Sequence, residues 1–77
     1  MLPADEDYAK GLLTIFSAQN VRPGQSLRAS EVSREFVNRN LGRPFDYQAA
    51  VAYSEDRGWI RRELGFLRLT GGGFAEM

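Results

Sequence analysis

Arginine is the residue type through which this chain could do chemistry: nine of its ten cationic side chains are Arg. A guanidinium is a planar fork of donors that matches phosphate oxygens and the edge of guanine. A codon bias toward Arg accounts for the count equally well, so position matters more than number. Ten basic residues balance ten acidic ones, which gives no strong field for attracting a polyanion. The balance hides an asymmetry, because residues 1–20 hold Asp5, Glu6, Asp7 and Lys10 while residues 21–77 hold nine arginines against seven carboxylates.

The other reactive types are missing or lack a helper. With no His and no Cys, disulfides, thiolate chemistry, the usual zinc sites and imidazole acid–base catalysis fall away. The hydroxyls of Ser17, Ser26, Ser30, Ser33 and Ser54 have no histidine to activate them, and Lys10 is a lone base on an exposed helix face. Gly71-Gly72-Gly73 lacks the following Lys-Ser/Thr of a phosphate-binding loop. Asp5, Glu6 and Asp7 read as charge complementing a helix dipole, not as metal ligands. No catalytic residue, metal or cofactor is expected, and the chain is not expected to be an enzyme.

Seventy-seven residues make one small domain that buries only about 60% of its unfolded surface, leaving little area for a large cleft. The apolar content of 43%, with five Phe, three Tyr and one Trp, is that of a globular chain and not a disordered one. The acidic start has no basic-then-apolar leader, and no run approaches the ~18 apolar residues of a membrane span. A cytoplasmic protein without a membrane partner is the default expectation.

The elements that must position the arginines can be read from spacing. Tyr8, Leu12, Ile15 and Phe16 form a helical stripe opposite Lys10, Thr14 and Ser17, giving a first helix from about Asp5 to Ala18. Arg22-Pro23-Gly24 has the order of a type II turn, and a short strand through Ser26-Leu27-Arg28 follows. Ser30 is the predicted N-cap of a second helix with Val32 and Phe36 inward and Val37 beside them. Glu31 with Arg34, and Glu35 with Arg39, have the spacing of weak surface ion pairs. Gly42 and Pro44 break the pattern, and Asp46 is the predicted cap of a third helix ending at Gly58. Its inner face runs through Tyr47, Ala50, Val51 and Ser54, with Gln48, Ala49, Ala52, Tyr53 and Asp56 outward.

From Trp59 the period becomes two. Ile60 on one strand, and Leu67 and Leu69 on the next, point inward across a Leu64-Gly65 turn. The three glycines at 71–73 then oppose a further helix. The expected organisation is one domain over residues 1–77, α+β in class, with residues 1–6 and 71–77 as flexible ends.

Helix, short strand, helix, turn, helix and hairpin resembles the winged helix-turn-helix superfamily of bacterial transcription regulators. The most specific piece is Arg57-Gly58-Trp59-Ile60 followed by Phe66-Leu67-Arg68-Leu69-Thr70 and Gly73. The resemblance implies a winged helix, with a three-helix core, a short first strand and a C-terminal two-stranded wing, that binds double-stranded DNA. In that superfamily the third helix enters the major groove and wing cations touch the backbone. Carried over, Gln48 and Tyr53 become groove readers, Arg61 and Arg62 wing contacts, and Arg28, Arg43 and Arg57 phosphate contacts. One module with so few arginines has few phosphate contacts, which favours a homodimer.

Two departures stand beside this. The third helix carries no Lys or Arg between Asp46 and Glu55, and the wing tip Glu63-Leu64-Gly65-Phe66 is acidic and apolar. The same residues also support a protein-interaction module without DNA, using Tyr53, Trp59, Leu64 and Phe66 as an apolar patch ringed by arginine. Trp59 and Phe66 covering the hairpin's core face, with Tyr53 filling the space beside Ser54, is the plain structural alternative.

Overall fold

The computed structural model describes residues 4–77. Helix α1 (Asp5–Ala18) is the axis of the domain, and Ala9, Leu12, Leu13, Ile15 and Phe16 are all buried. Its start is tied by the Asp7 carboxylate, which accepts from the Ala4 N–H at 3.0 Å. Of the start predicted to be flexible, residues 1–3 lie outside the described residues, and Asp5 and Glu6 already belong to α1. The helix closes where Asn20 turns left-handed (φ 56°) and Val21 donates to the Phe16 carbonyl. The Arg22-Pro23-Gly24 turn follows as expected, with Gly24 at φ 90° and the Gln25 N–H donating to the Arg22 carbonyl.

Strand β1 (Ser26–Arg28) runs directly into α2 (Ala29–Asn38), which buries Val32 and Phe36. The predicted cap at Ser30 is corrected: Arg28 is the N-cap residue and Ser30 lies inside the helix. The Ala29 N–H, free at a helix start, is satisfied by the Gly65 carbonyl of the later hairpin at 2.9 Å, so no capping hydroxyl is needed. Of the two predicted ion pairs only Glu35–Arg39 forms, at 3.2 Å. Asn40, not Gly42, supplies the left-handed residue that ends the helix (φ 57°). Gly42 instead lies against Phe36 and Asp46, where a Cβ would sit 2.7 Å from the aromatic ring.

Helix α3 (Pro44–Asp56) begins two residues before the predicted cap. Pro44 occupies the first turn, where its missing N–H costs nothing. Asp46 therefore sits in the third helical position and reaches back to accept from the Arg43 N–H at 2.9 Å. The predicted inner face holds, since Ala50, Val51 and Ser54 are buried and Tyr47 is partly buried. Packing is chiefly along α1.

Strands β2 (Ile60–Glu63) and β3 (Phe66–Leu69) form the hairpin, with Gly65 at φ 74° in its turn. With β1 they make a three-stranded antiparallel sheet in the order β1-β3-β2. Ile60, Leu67 and Leu69 are buried, as is Trp59 just before β2. The protein is thus an α+β domain whose sheet covers one side of the helices.

The C-terminal glycines overturn an expectation, because Gly71–Ala75 form a short helix, α4. Thr70 makes this possible. Its hydroxyl accepts from the Gly73 N–H at 3.1 Å and lies 2.5 Å from the Gly58 carbonyl oxygen and 2.9 Å from that of Trp59. Gly73 presses onto the Trp59 backbone so closely that a Cβ would sit 2.9 Å from the carbonyl carbon. Close approach to the main chain, rather than flexibility, is what glycine supplies there.

Candidate nucleic-acid interface

An α-helix turns about 100° per residue, and the buried side of α3 leaves an outward arc carrying Phe45, Gln48, Ala52, Glu55 and Asp56, all exposed. The N-terminal half of that arc is uncharged. Phe45 is 75% exposed and has no packing partner in the core, and Gln48 lies one turn further on. Arg43 precedes them with its side chain 81% exposed. Its Nε donates to the Asp46 carboxylate at 3.1 Å, while most of the guanidinium faces solvent. The Arg43 guanidinium and backbone N–H hold the Asp46 carboxyl below its ordinary value. This pins the first turn of α3.

Between α3 and the hairpin lies a cleft of about 480 Å³ lined by Tyr47, Gln48, Val51, Arg62, Glu63 and Leu67, among others. It brings together two of the residues singled out in the sequence, Gln48 and Arg62. Arg62 shares the inward face of β2 with Ile60 and reaches α3, pairing with Glu55 at 3.4 Å. The Tyr47 hydroxyl donates to the Ala29 carbonyl at 3.2 Å. Burial raises its pKa, and the nearby Arg62 charge partly offsets the rise. The result is a surface of one aromatic ring, one amide and two arginines along the first turns of α3 and the edge of the hairpin.

The other predicted contacts lie elsewhere. Tyr53 is about 140° around α3 from Gln48, with its ring edge-on to Trp59 at 5.7 Å and the Arg57 guanidinium 6.0 Å above it. Tyr53 and Arg57 therefore form their own cluster. Arg28 and Arg61 are on the outward face of the sheet, since each is paired in register with an outward residue of β3. The apolar patch of Tyr53, Trp59, Leu64 and Phe66 also breaks up. Trp59 is 4% exposed and belongs to the core, which withdraws it from any interaction surface, whereas Leu64 at the hairpin tip is 98% exposed.

Phe45 went unnoticed in the sequence. Its signal was available: two residues before Tyr47 on one helix, it must point about 160° away from that inward side chain. A helix start at Asp46 leaves Phe45 outside the helix and conceals it. No helix among the described residues is long and apolar enough to cross a membrane, and no cluster among them could hold a metal ion. No protein-family model matches the chain, and neither curated proteins nor solved structures give a match.

Proposed function

We propose that this chain is a winged-helix domain that binds duplex DNA, with the N-terminal half of α3 in the major groove and the β2–β3 hairpin as the wing. The element order supports it: α2, a tight left-handed turn at Asn40, α3 and then a hairpin folded beside α3. In helix-turn-helix readers the N-terminal residues of the second helix of the pair meet the base edges. The observation that carries the reading is that Phe45 and Gln48 stand outward on those turns, and that Phe45 packs on no core residue among the described ones.

Each residue then has a role. Gln48 can pair bidentately with adenine N6 and N7, and the Phe45 ring can rest on a thymine methyl group. Arg43 and Arg62 take phosphates on either side, which fixes register without reading sequence. Glu55 and Asp56 sit at the far end of α3, away from the groove floor, and Glu55 is neutralised by Arg62. With two principal phosphate contacts per domain the affinity is low, and a dimer on a two-fold site follows as the working form. A transcription regulator in the cytoplasm is the setting this implies.

The test is duplex binding by fluorescence anisotropy across a salt series. Arg43→Ala with Arg62→Ala should reduce the log–log salt slope by about 1.8, two contacts at roughly 0.9 each. Selection from a random duplex pool should show an adenine preference that Gln48→Ala relaxes at one position. Unchanged slope and unchanged preference would sink the reading. Capture of a protein partner through Phe45 and Leu64, independent of salt, would then be the function to pursue.

A further inference from the structure

The outward face of the sheet is covered by no helix among the described residues and is chemically distinct from the α3 surface. Register places Arg28, Phe66 and Glu63 side by side across the three strands, and Ser26, Arg68 and Arg61 in the next row. Phe66 sits on the central strand, 42% exposed, although its neighbours Leu67 and Leu69 are buried. The ring thus keeps a large part of its surface in water, on the side of the sheet away from the core. It is an aromatic surface with an arginine on each flanking strand.

The charges around it are not equivalent. Arg68 is committed, holding both Glu63 carboxylate oxygens at 2.9 Å and also donating to the Gly24 carbonyl. That bidentate pair removes the acidic charge beside Phe66 and keeps the Glu63 carboxyl below its ordinary value. Arg28 and Arg61 have no carboxylate partner among the described residues. They lie on the two outer strands, on diagonal sides of Phe66 and roughly 12 Å apart by strand spacing and rise. An aromatic face between two free guanidinium groups suits a base with a phosphate on either side.

We propose that this sheet face binds single-stranded DNA, with a base stacked on Phe66 and the flanking phosphates held by Arg28 and Arg61. The occupant follows from charge complementarity and from the platform: the face carries three arginines against one carboxylate, and stacking accepts any base. A duplex cannot use it, because its bases are already stacked on each other. The proposal does not rest on the major-groove reading, since Phe66, Arg28 and Arg61 are none of the residues that reading uses and they face the opposite side of the sheet.

The probe is a fluorescein-labelled oligothymidylate about 12 nucleotides long, within the roughly 4–16 nucleotide range of single-strand sites, titrated with the full chain at low salt. Phe66→Ala should weaken binding about tenfold, the scale of one base–aromatic stack, and Phe66→Tyr should restore it. Arg28→Ala with Arg61→Ala should reduce the log–log salt slope by about 1.4. Exposed positions make these variants foldable, and circular dichroism verifies that. The proposal is overturned by a wild-type chain that does not bind, by Phe66→Ala binding as wild type does, or by oligouridylate binding more than about tenfold tighter than oligothymidylate, which would assign the face to RNA. Duplex binding measured on the same variants separates the two surfaces: single-strand binding lost with duplex binding intact is the expected result, both intact counts against this proposal alone, and both lost together counts against the α3 reading alone.

Discussion

Replacing Glu55 with Gln should make the protein a better DNA binder. Glu55 is the carboxylate that holds Arg62, at 3.4 Å, and the two side chains are 45% and 53% exposed. A pair so open to solvent contributes under about 1 kcal/mol to folding, so the variant stays folded. Two effects then act on a duplex placed along α3. Removing one negative charge roughly 6 Å from a phosphate is worth about 0.7 kcal/mol at the dielectric of water, near threefold in affinity. Releasing Arg62 spares it the cost of leaving its carboxylate without adding a phosphate contact, so the log–log salt slope stays that of the wild type. Anisotropy with a random duplex across a salt series reads both quantities. The control is Glu55→Gln on an Arg62→Ala background, where the part of the gain that comes from releasing Arg62 must vanish. A steeper slope would mean that Arg62 reaches its phosphate only once freed from Glu55, and unchanged binding would place the duplex away from this end of α3.

Three further predictions concern the frame that holds this surface. Ser54 is fully buried with no hydrogen-bond partner for its hydroxyl, so Ser54→Ala should stabilise the domain by about 1 kcal/mol, raising Tm by roughly 4–8 °C; a lower Tm would show that the hydroxyl is satisfied. Gly73→Ala drives a Cβ into the Trp59 backbone and should cost about 1–3 kcal/mol in a urea melt, whereas Gly71→Ala, which meets nothing within 4 Å, should cost far less. In pH-dependent unfolding, Asp46 and Glu63 have depressed folded values relative to their usual 3.8 and 4.5. Their contribution is therefore present above those values and lost as pH falls through the folded ones. Tyr47 is raised above its usual 10.0, so its contribution is present below that and lost as pH rises through the folded value, a limb that Tyr47→Phe should abolish.

Much of the frame was legible because burial leaves a periodic trace. The stripe from Tyr8 to Phe16, the Tyr47-Ala50-Val51-Ser54 face and the alternation of Ile60, Leu67 and Leu69 each matched the structure. The misses in the frame come from contacts that local propensity does not record. Ser30 did not cap α2, because the Gly65 carbonyl, 36 positions away, had already taken the Ala29 N–H. The three glycines became helix, because Thr70 and the Trp59 backbone close over them, and no propensity records that. The candidate surface was half legible. Gln48 and Arg62 do converge, but Tyr53 with Arg57 and Arg28 with Arg61 were separated by helix rotation and strand alternation. Phe45 was lost by a two-residue error in where α3 starts.

The most direct measurement is a titration of isotope-labelled protein with a random DNA duplex at low and at physiological salt, following backbone amide shifts. The account predicts salt-sensitive shifts at Arg43, Phe45, Gln48 and Arg62, with Tyr53, Arg57 and the outward sheet face around Phe66 unmoved. Shifts confined to the sheet face, or none at low salt, would contradict it.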